Sequence, residues 1–176
     1  MSQRSNRKLL FLLSGLGLFM FGFGFALIPI YNSLCKSLGI NGKTNTSAIA
    51  YEEGMKVDKN REVLVEFVAT NNSSLPWDFY PTTKKIRVHP GEIARLSFYA
   101  ENKSGRPMTV QAIPSVTPGL AAKYLKKTEC FCFTYQRLNE NEAMDMPLLF
   151  HLDPELPKNI NTITLAYTLF DITGKV

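Results

Sequence analysis

From Leu9 to Cys35 the chain carries no charged side chain, and Leu9–Ile30 is almost wholly apolar. As a helix, those 22 residues rise about 33 Å, enough to cross a hydrocarbon core of about 30 Å. A cleaved secretory signal also opens with bases and an apolar run. Its apolar region, however, covers only about 7–15 residues and ends at a small-x-small site. Here the run is longer and ends in Ile28-Pro29-Ile30-Tyr31, with no Ala-x-Ala pattern. Residues 9–31 are therefore read as a retained membrane anchor behind a short tail, residues 1–8.

The flanks set the expected orientation. Arg4, Arg7 and Lys8 precede the span, whereas only Lys36 and Lys43 follow closely. Basic residues stay on the cytoplasmic side, so the tail is cytoplasmic and the rest of the chain lies across the membrane. No Arg-rich, Ser-rich transit segment precedes the span. The expectation is a single-pass protein of a bacterial cell inner membrane with a periplasmic C-terminal domain. Tyr31 falls where a ring rests at the interface. Gly15, Gly22 and Ala26 share one helical face that admits close approach of another helix.

The formal net charge of +5 does not indicate a nucleic-acid binder. Three bases sit in the tail, and the other 17 face all 15 acids. No basic face with stacking aromatics and no groove-reading helix is present, so nucleic acid is excluded as a partner. The clusters Lys84, Lys85, Arg87 and Lys123, Lys126, Lys127 are read as solvated strand ends.

Residues 32–60 are rich in Gly, Asn, Thr and Lys without a sustained period and read as a linker. Over 61–176, strand signals recur with turn residues between them. They fall at Arg61–Thr70, Lys84–His89, Ile93–Ala100, Met108–Val116, Cys130–Tyr135, Pro147–Leu152 and Thr162–Phe170. His89-Pro90-Gly91-Glu92 has the Pro and Gly that a type II turn needs at its two central positions. Lys103-Ser104-Gly105-Arg106 reads as a hairpin connection. Leu120–Lys127 suits a helical turn or a strand equally. In the last segment Ile163, Leu165, Tyr167 and Leu169 alternate with Thr162, Thr164, Ala166 and Thr168, the pattern of a half-buried strand in an antiparallel sheet. The fold class expected is all-β, an immunoglobulin-like two-sheet sandwich preceded by one N-terminal transmembrane helix, with an open barrel as the alternative.

Three Cys cannot make a disulfide scaffold, because an odd count leaves one thiol over. In an oxidising compartment a free thiol is unusual, which draws attention to Cys130-Phe131-Cys132-Phe133. On an extended strand, side chains at i and i+2 point the same way. Both sulfurs then face one side, and both rings face the core. Paired thiolates suit a soft ion, and Cu(I) fits this donor set better than zinc, which takes four ligands. Two other readings stand beside it: buried cysteines acting as small hydrophobes, and a strained, easily reduced Cys130–Cys132 disulfide. His89 and His151 are read as structural, His151 as an exposed strand residue, and Met144 and Met146 as core or loop filler.

The block Glu129-Cys130-Phe131-Cys132-Phe133 resembles the copper-site signature of the cytochrome c oxidase assembly proteins of the CtaG type. Met146-Pro147, Phe150 and Asp153-Pro154 downstream are similar to the family's continuation. So are Pro76-Trp77-Asp78-Phe79 and Val88-His89-Pro90-Gly91-Glu92 upstream, and Pro29-Ile30-Tyr31 followed by Cys35. His151 departs from the pattern, which has an aromatic or aliphatic residue there. The resemblance implies a single-span protein that delivers copper to the copper-B site of oxidase subunit I, with Cys130 and Cys132 binding Cu(I). It implies that Cys35 is a third functional thiol, in redox upkeep or copper transfer. The partners expected are subunit I, an upstream copper donor or thiol reductant, and a second copy joined through a shared copper.

Such a carrier is not an enzyme, and no nucleophile elbow, P-loop, dinucleotide fingerprint or paired-carboxylate arrangement argues otherwise. Two rivals are a membrane-tethered thiol–disulfide reductase and a structural scaffold for oxidase assembly.

Overall fold

The computed structural model describes residues 3–38, 55–72 and 75–175. They belong to two compact units, 1–40 and 41–176.

The first unit is one helix, α1 (Gln3–Leu38). Its Leu and Met residues lose little on entering a helix, and the side chains from Leu9 to Leu34, apolar except for Ser14, Asn32 and Ser33, are exposed on every face. A helix that is apolar nearly all round is a candidate membrane span. Within Arg7–Leu34 the mean hydropathy reaches 2.2, and the segment is long and apolar enough to cross a membrane. Pro29 lies inside the helix, where the missing N–H removes one backbone bond. The helix nevertheless runs past Tyr31 to Leu38, beyond the expected end of the span.

Among the described residues the second unit contains nine strands: β1 (Val63–Asn71), β2 (Trp77–Pro81), β3 (Lys85–Val88), β4 (Ile93–Asn102), β5 (Met108–Thr117), β6 (Leu125–Cys130), β7 (Gln136–Leu138), β8 (Ala143–Leu152) and β9 (Thr162–Asp171). Five form one sheet in the order β3-β1-β9-β5-β7, and four form the other in the order β2-β4-β8-β6. This is the all-β, immunoglobulin-type sandwich expected, following an apolar N-terminal helix. Inward residues of both sheets make the core. Phe67 meets Phe98 and Phe150 edge-on, at centroid distances of 6.3 and 5.9 Å.

Several local expectations are corrected. The final strand β9 buries Ile163, Leu165, Tyr167 and Leu169 as its alternation requires. It lies in a mixed sheet, however, antiparallel to β5 but parallel to β1. Lys103–Arg106 is no hairpin: β4 and β5 belong to different sheets, so the turn carries the chain across the sandwich. Buried Asn102 holds that crossing, its Nδ2 donating to the carbonyls of Arg106 at 2.7 Å and Asn139 at 2.9 Å. Leu120–Lys127 contains both candidate structures, a 3-10 turn at Gly119–Lys123 and then β6. Strands β2 and β7 have no counterpart among the expected segments. Cys130–Tyr135 is not a strand: Cys130 ends β6, and Phe131–Phe133 form one 3-10 turn.

The turn after β3 follows its sequence. Gly91 has φ +88°, and the Glu92 N–H donates to the His89 carbonyl at 2.9 Å. His89 is structural, its Nδ1 lying 2.7 Å from the Arg61 carbonyl. A Cβ on Gly91 would stand 2.7 Å from the Lys56 carbonyl oxygen, so this glycine is required for conformation and for space.

Gly105 also has positive φ but open space around it, which separates the two costs. Gly105→Ala should destabilise the sandwich by about 1 kcal/mol and Gly91→Ala by at least twice that. The measurement is thermal unfolding followed through the fluorescence of buried Trp77, the one Trp in the sequence. Equal losses would show that the Lys56 contact relaxes freely.

Candidate functional site

β6 brings the two cysteines to the edge of the four-stranded sheet. It starts in ordinary alternation, with Leu125 and Lys127 buried and Lys126 half-buried. Continued alternation would turn Glu129 into the sandwich and Cys130 out. A register shift against β8 intervenes between Lys127 and Glu129. One extra residue in a strand reverses the side-chain parity beyond it. Glu129 therefore faces solvent and Cys130 faces the core, 6% exposed.

The chain then tightens. Cys130 and Cys132 form a disulfide, and their Cα atoms lie 5.1 Å apart, closer than the roughly 6.6 Å of an extended i, i+2 pair. Of the readings open from the sequence, the disulfide is the one observed. The same closure explains why the segment is a turn. The Cys132 N–H donates to Cys130 Sγ at 3.1 Å, and Gln136 Nε2 donates to the Phe131 carbonyl at 3.1 Å.

The two phenylalanines consequently part company. Phe131 drops into the core, with ring centroids 4.7 Å from Tyr167, 5.3 Å from Phe98 and 6.2 Å from Phe79. Phe133 stays half-buried under the Lys127 ammonium, whose Nζ lies 5.3 Å from the ring centroid. The sulfurs are not both exposed, as a flat strand would have left them: Cys130 is buried, and Cys132 is half-buried at the surface.

Two buried side chains reach the sulfurs. Lys127 Nζ donates to Cys132 Sγ at 3.4 Å. The Tyr167 hydroxyl lies 3.1 Å from Cys130 Sγ and 3.8 Å from Cys132 Sγ. Neither sulfur of a disulfide carries hydrogen, so the phenol is the donor. Burial raises the Tyr167 phenol above its ordinary value, so its proton stays in place. Desolvation pushes Lys127 down to about 8.

Lys127 was expected on a solvated strand end and is instead fully buried. Its parity with Leu125, two residues earlier, was the available signal. Tyr167 was legible as an inward strand residue, but its meeting with the cysteines depends on long-range pairing.

The remaining candidates lie apart from this group. His151 is 2% exposed rather than exposed. It stands on a central strand between Ile93 and Lys126, and burial lowers its pKa against an opposing pull from Asp153. Met146 is fully buried, and Met144 is half-buried against the core, as filler residues would be. Cys35 belongs to the last turns of α1, and its side chain lies outside the described residues. Among the described residues, no three of His, Cys, Asp or Glu converge on a common point. The donor set at the turn is therefore two sulfurs, which opening of the disulfide would turn into a soft dithiolate. Such a set suits Cu(I) and falls short of the four ligands of a closed zinc site.

Residues 27–171 match the family described as cytochrome c oxidase assembly protein CtaG/Cox11. The chain is 37% identical to the cytochrome c oxidase assembly protein CtaG of Rhizobium johnstonii, over 89% of this chain and 79% of that protein. It is 38% identical to the CtaG of Mesorhizobium japonicum, over 87% and 75% of the two chains. It is 35% identical to the mitochondrial assembly protein COX11 of Arabidopsis thaliana, over 98% of this chain but only 63% of that longer protein.

The depressed Lys127 value makes a pH prediction for the oxidised protein. Between pH 8 and about 10.4 the unfolded chain holds a proton on this lysine that the folded chain has released. Stability from Lys127 therefore rises with pH across that window, by on the order of 3 kcal/mol. Lys127→Met fills the same space without charge. The wild type should gain on this variant by that amount between pH 7 and pH 10.5, read by urea denaturation. A difference independent of pH would show that Lys127 is solvated.

Proposed function

Because this chain belongs to the CtaG/Cox11 family of cytochrome c oxidase assembly proteins, we propose that it is a membrane-anchored copper chaperone. Its sulfur pair takes up Cu(I) and passes it to the copper-B site of oxidase subunit I during assembly. The observation that carries the reading is the turn itself, which brings two cysteine sulfurs together and, among the described residues, no third His, Cys, Asp or Glu with them.

In the disulfide form the pair has no electrons to offer a metal as thiolate. Loading starts with a dithiol reductant, which takes the pair from disulfide to two thiols and is itself oxidised to a disulfide. Cu(I) then replaces the two thiol protons, which pass to solvent, and sits between two thiolates. Half-buried Cys132 is the sulfur that an incoming ion or acceptor meets first, and buried Cys130 is the second. With only two protein ligands, a ligand of subunit I can join the copper before a sulfur leaves, so no bare ion is released. The open positions also allow two copies to share copper through their pairs.

The helix α1 anchors the domain in the cell inner membrane, with the N-terminus cytoplasmic and the sandwich periplasmic. Confinement there raises its effective concentration near a membrane-embedded acceptor. Cys35, at the end of α1, serves as a third thiol for reducing the pair or handing copper on.

The observed disulfide favours one rival, a tethered reductase that spends the electrons of the pair on other copper proteins. Titration with Cu(I) against a chromogenic chelator separates the two. The chaperone binds copper stoichiometrically, and both Cys130→Ser and Cys132→Ser abolish that binding and oxidase activity in cells. Cys35→Ser leaves binding intact but impairs delivery. Normal oxidase activity with Cys130→Ser or Cys132→Ser would refute the chaperone reading.

A further inference from the structure

The Tyr167 hydroxyl is a polar group set inside an aromatic core, where the five-stranded sheet meets the cysteine turn. Tyr167 sits on β9, the middle strand of the five-stranded sheet, and is fully buried. Its ring is clamped by Phe98 at 5.1 Å and Phe131 at 4.7 Å between centroids, so the hydroxyl has little freedom to turn elsewhere. Its partners among the described residues are the two sulfurs, at 3.1 and 3.8 Å. Phenylalanine would fill the same space without placing a buried polar atom there. A buried hydroxyl costs free energy unless it is well bonded, and a disulfide sulfur is a weak acceptor.

We propose that Tyr167 is a positioning residue for the copper-loaded site, its hydroxyl donating a hydrogen bond to the copper-bound Cys130 thiolate. This rests on the chaperone reading above. In the disulfide the acceptor is neutral, and the bond contributes little. Once copper is bound the same sulfur is an anionic ligand, and hydrogen bonds to charged acceptors are roughly twice as strong as neutral ones. The donor is pre-aimed by its aromatic packing, so little ordering is needed when copper arrives. A phenol keeps its proton through the neutral range, so the donor persists across physiological pH. The hydroxyl thus biases the pair toward the loaded state without contacting the metal, as outer-shell groups do at other metal sites.

The test uses the full chain in detergent under reducing conditions, with Cu(I) alone as the probe and a chromogenic chelator as competitor. Tyr167→Phe should weaken Cu(I) binding about tenfold, equal to 1.4 kcal/mol. It should leave the unfolding temperature of the oxidised, copper-free protein nearly unchanged. Phe150→Leu, which loosens the core beside Phe67 but keeps both rings that clamp Tyr167, should do the reverse: lower stability, unchanged affinity. In the unmutated protein the Tyr167 hydroxyl proton resonance should move downfield when copper binds, which needs no variant to fold. Equal affinity in wild type and Tyr167→Phe, or a hydroxyl resonance that copper does not move, overturns the role of Tyr167 and leaves the chaperone reading standing. Failure of the wild type to bind Cu(I) overturns both.

Discussion

The position of both sulfurs follows from where Phe131 goes. Its ring lies between Phe98 of one sheet and Tyr167 of the other, and removing a ring of that size from water contributes roughly 2–3 kcal/mol. Phe131 is also the residue between the cysteines. Once the ring is seated, the turn has only one way to face: Cys130 against the Tyr167 hydroxyl, Cys132 toward the surface. The register shift in β6 serves the same end by turning Cys130 inward and Glu129 outward. A reactive group at a strand edge would otherwise swing with that edge. Here it is tied to the centre of the molecule through a residue with no chemistry of its own.

The electrostatics of the turn are equally deliberate in effect. The surroundings of the sulfurs are aromatic and aliphatic, with Lys127 as the charged side chain placed against them. A buried ammonium is costly unless something nearby is negative. Desolvation lowers the affinity of Lys127 for the proton, and its Nζ faces the Cys132 sulfur. A thiolate at that position is a stronger acceptor than a disulfide sulfur.

How much of this was legible depended on whether the deciding contact was local. The alternation of Thr162–Phe170 announces a half-buried strand because one face must meet the opposite sheet, and that face is Ile163, Leu165, Tyr167 and Leu169. The apolar helix is equally plain. Ser104-Gly105 looks like a hairpin because its turn chemistry is that of one, yet whether the next strand pairs or crosses is fixed by partners far along the chain. The cysteine motif stood out in the sequence, but its shape did not. Period-two reasoning presumes an extended backbone, and the turn abandons it. Lys127 was hidden by its own charge, since a lysine is placed in water by default and only its parity with Leu125 says otherwise.

The pairing of β1 with β9 has a consequence for biogenesis. These are the first and last strands of the sandwich, and they lie side by side and parallel. A ribosome releases them almost a hundred residues apart, so the middle of the five-stranded sheet stays vacant until the C-terminal end of the chain emerges. Long-range closure of this kind is slow. Meanwhile the segment bearing Cys130 and Cys132 has already been made, and Tyr167 has not. Until then Cys130 lacks the Tyr167 hydroxyl and the ring packing of Phe131 on Tyr167 that cover it in the folded sandwich.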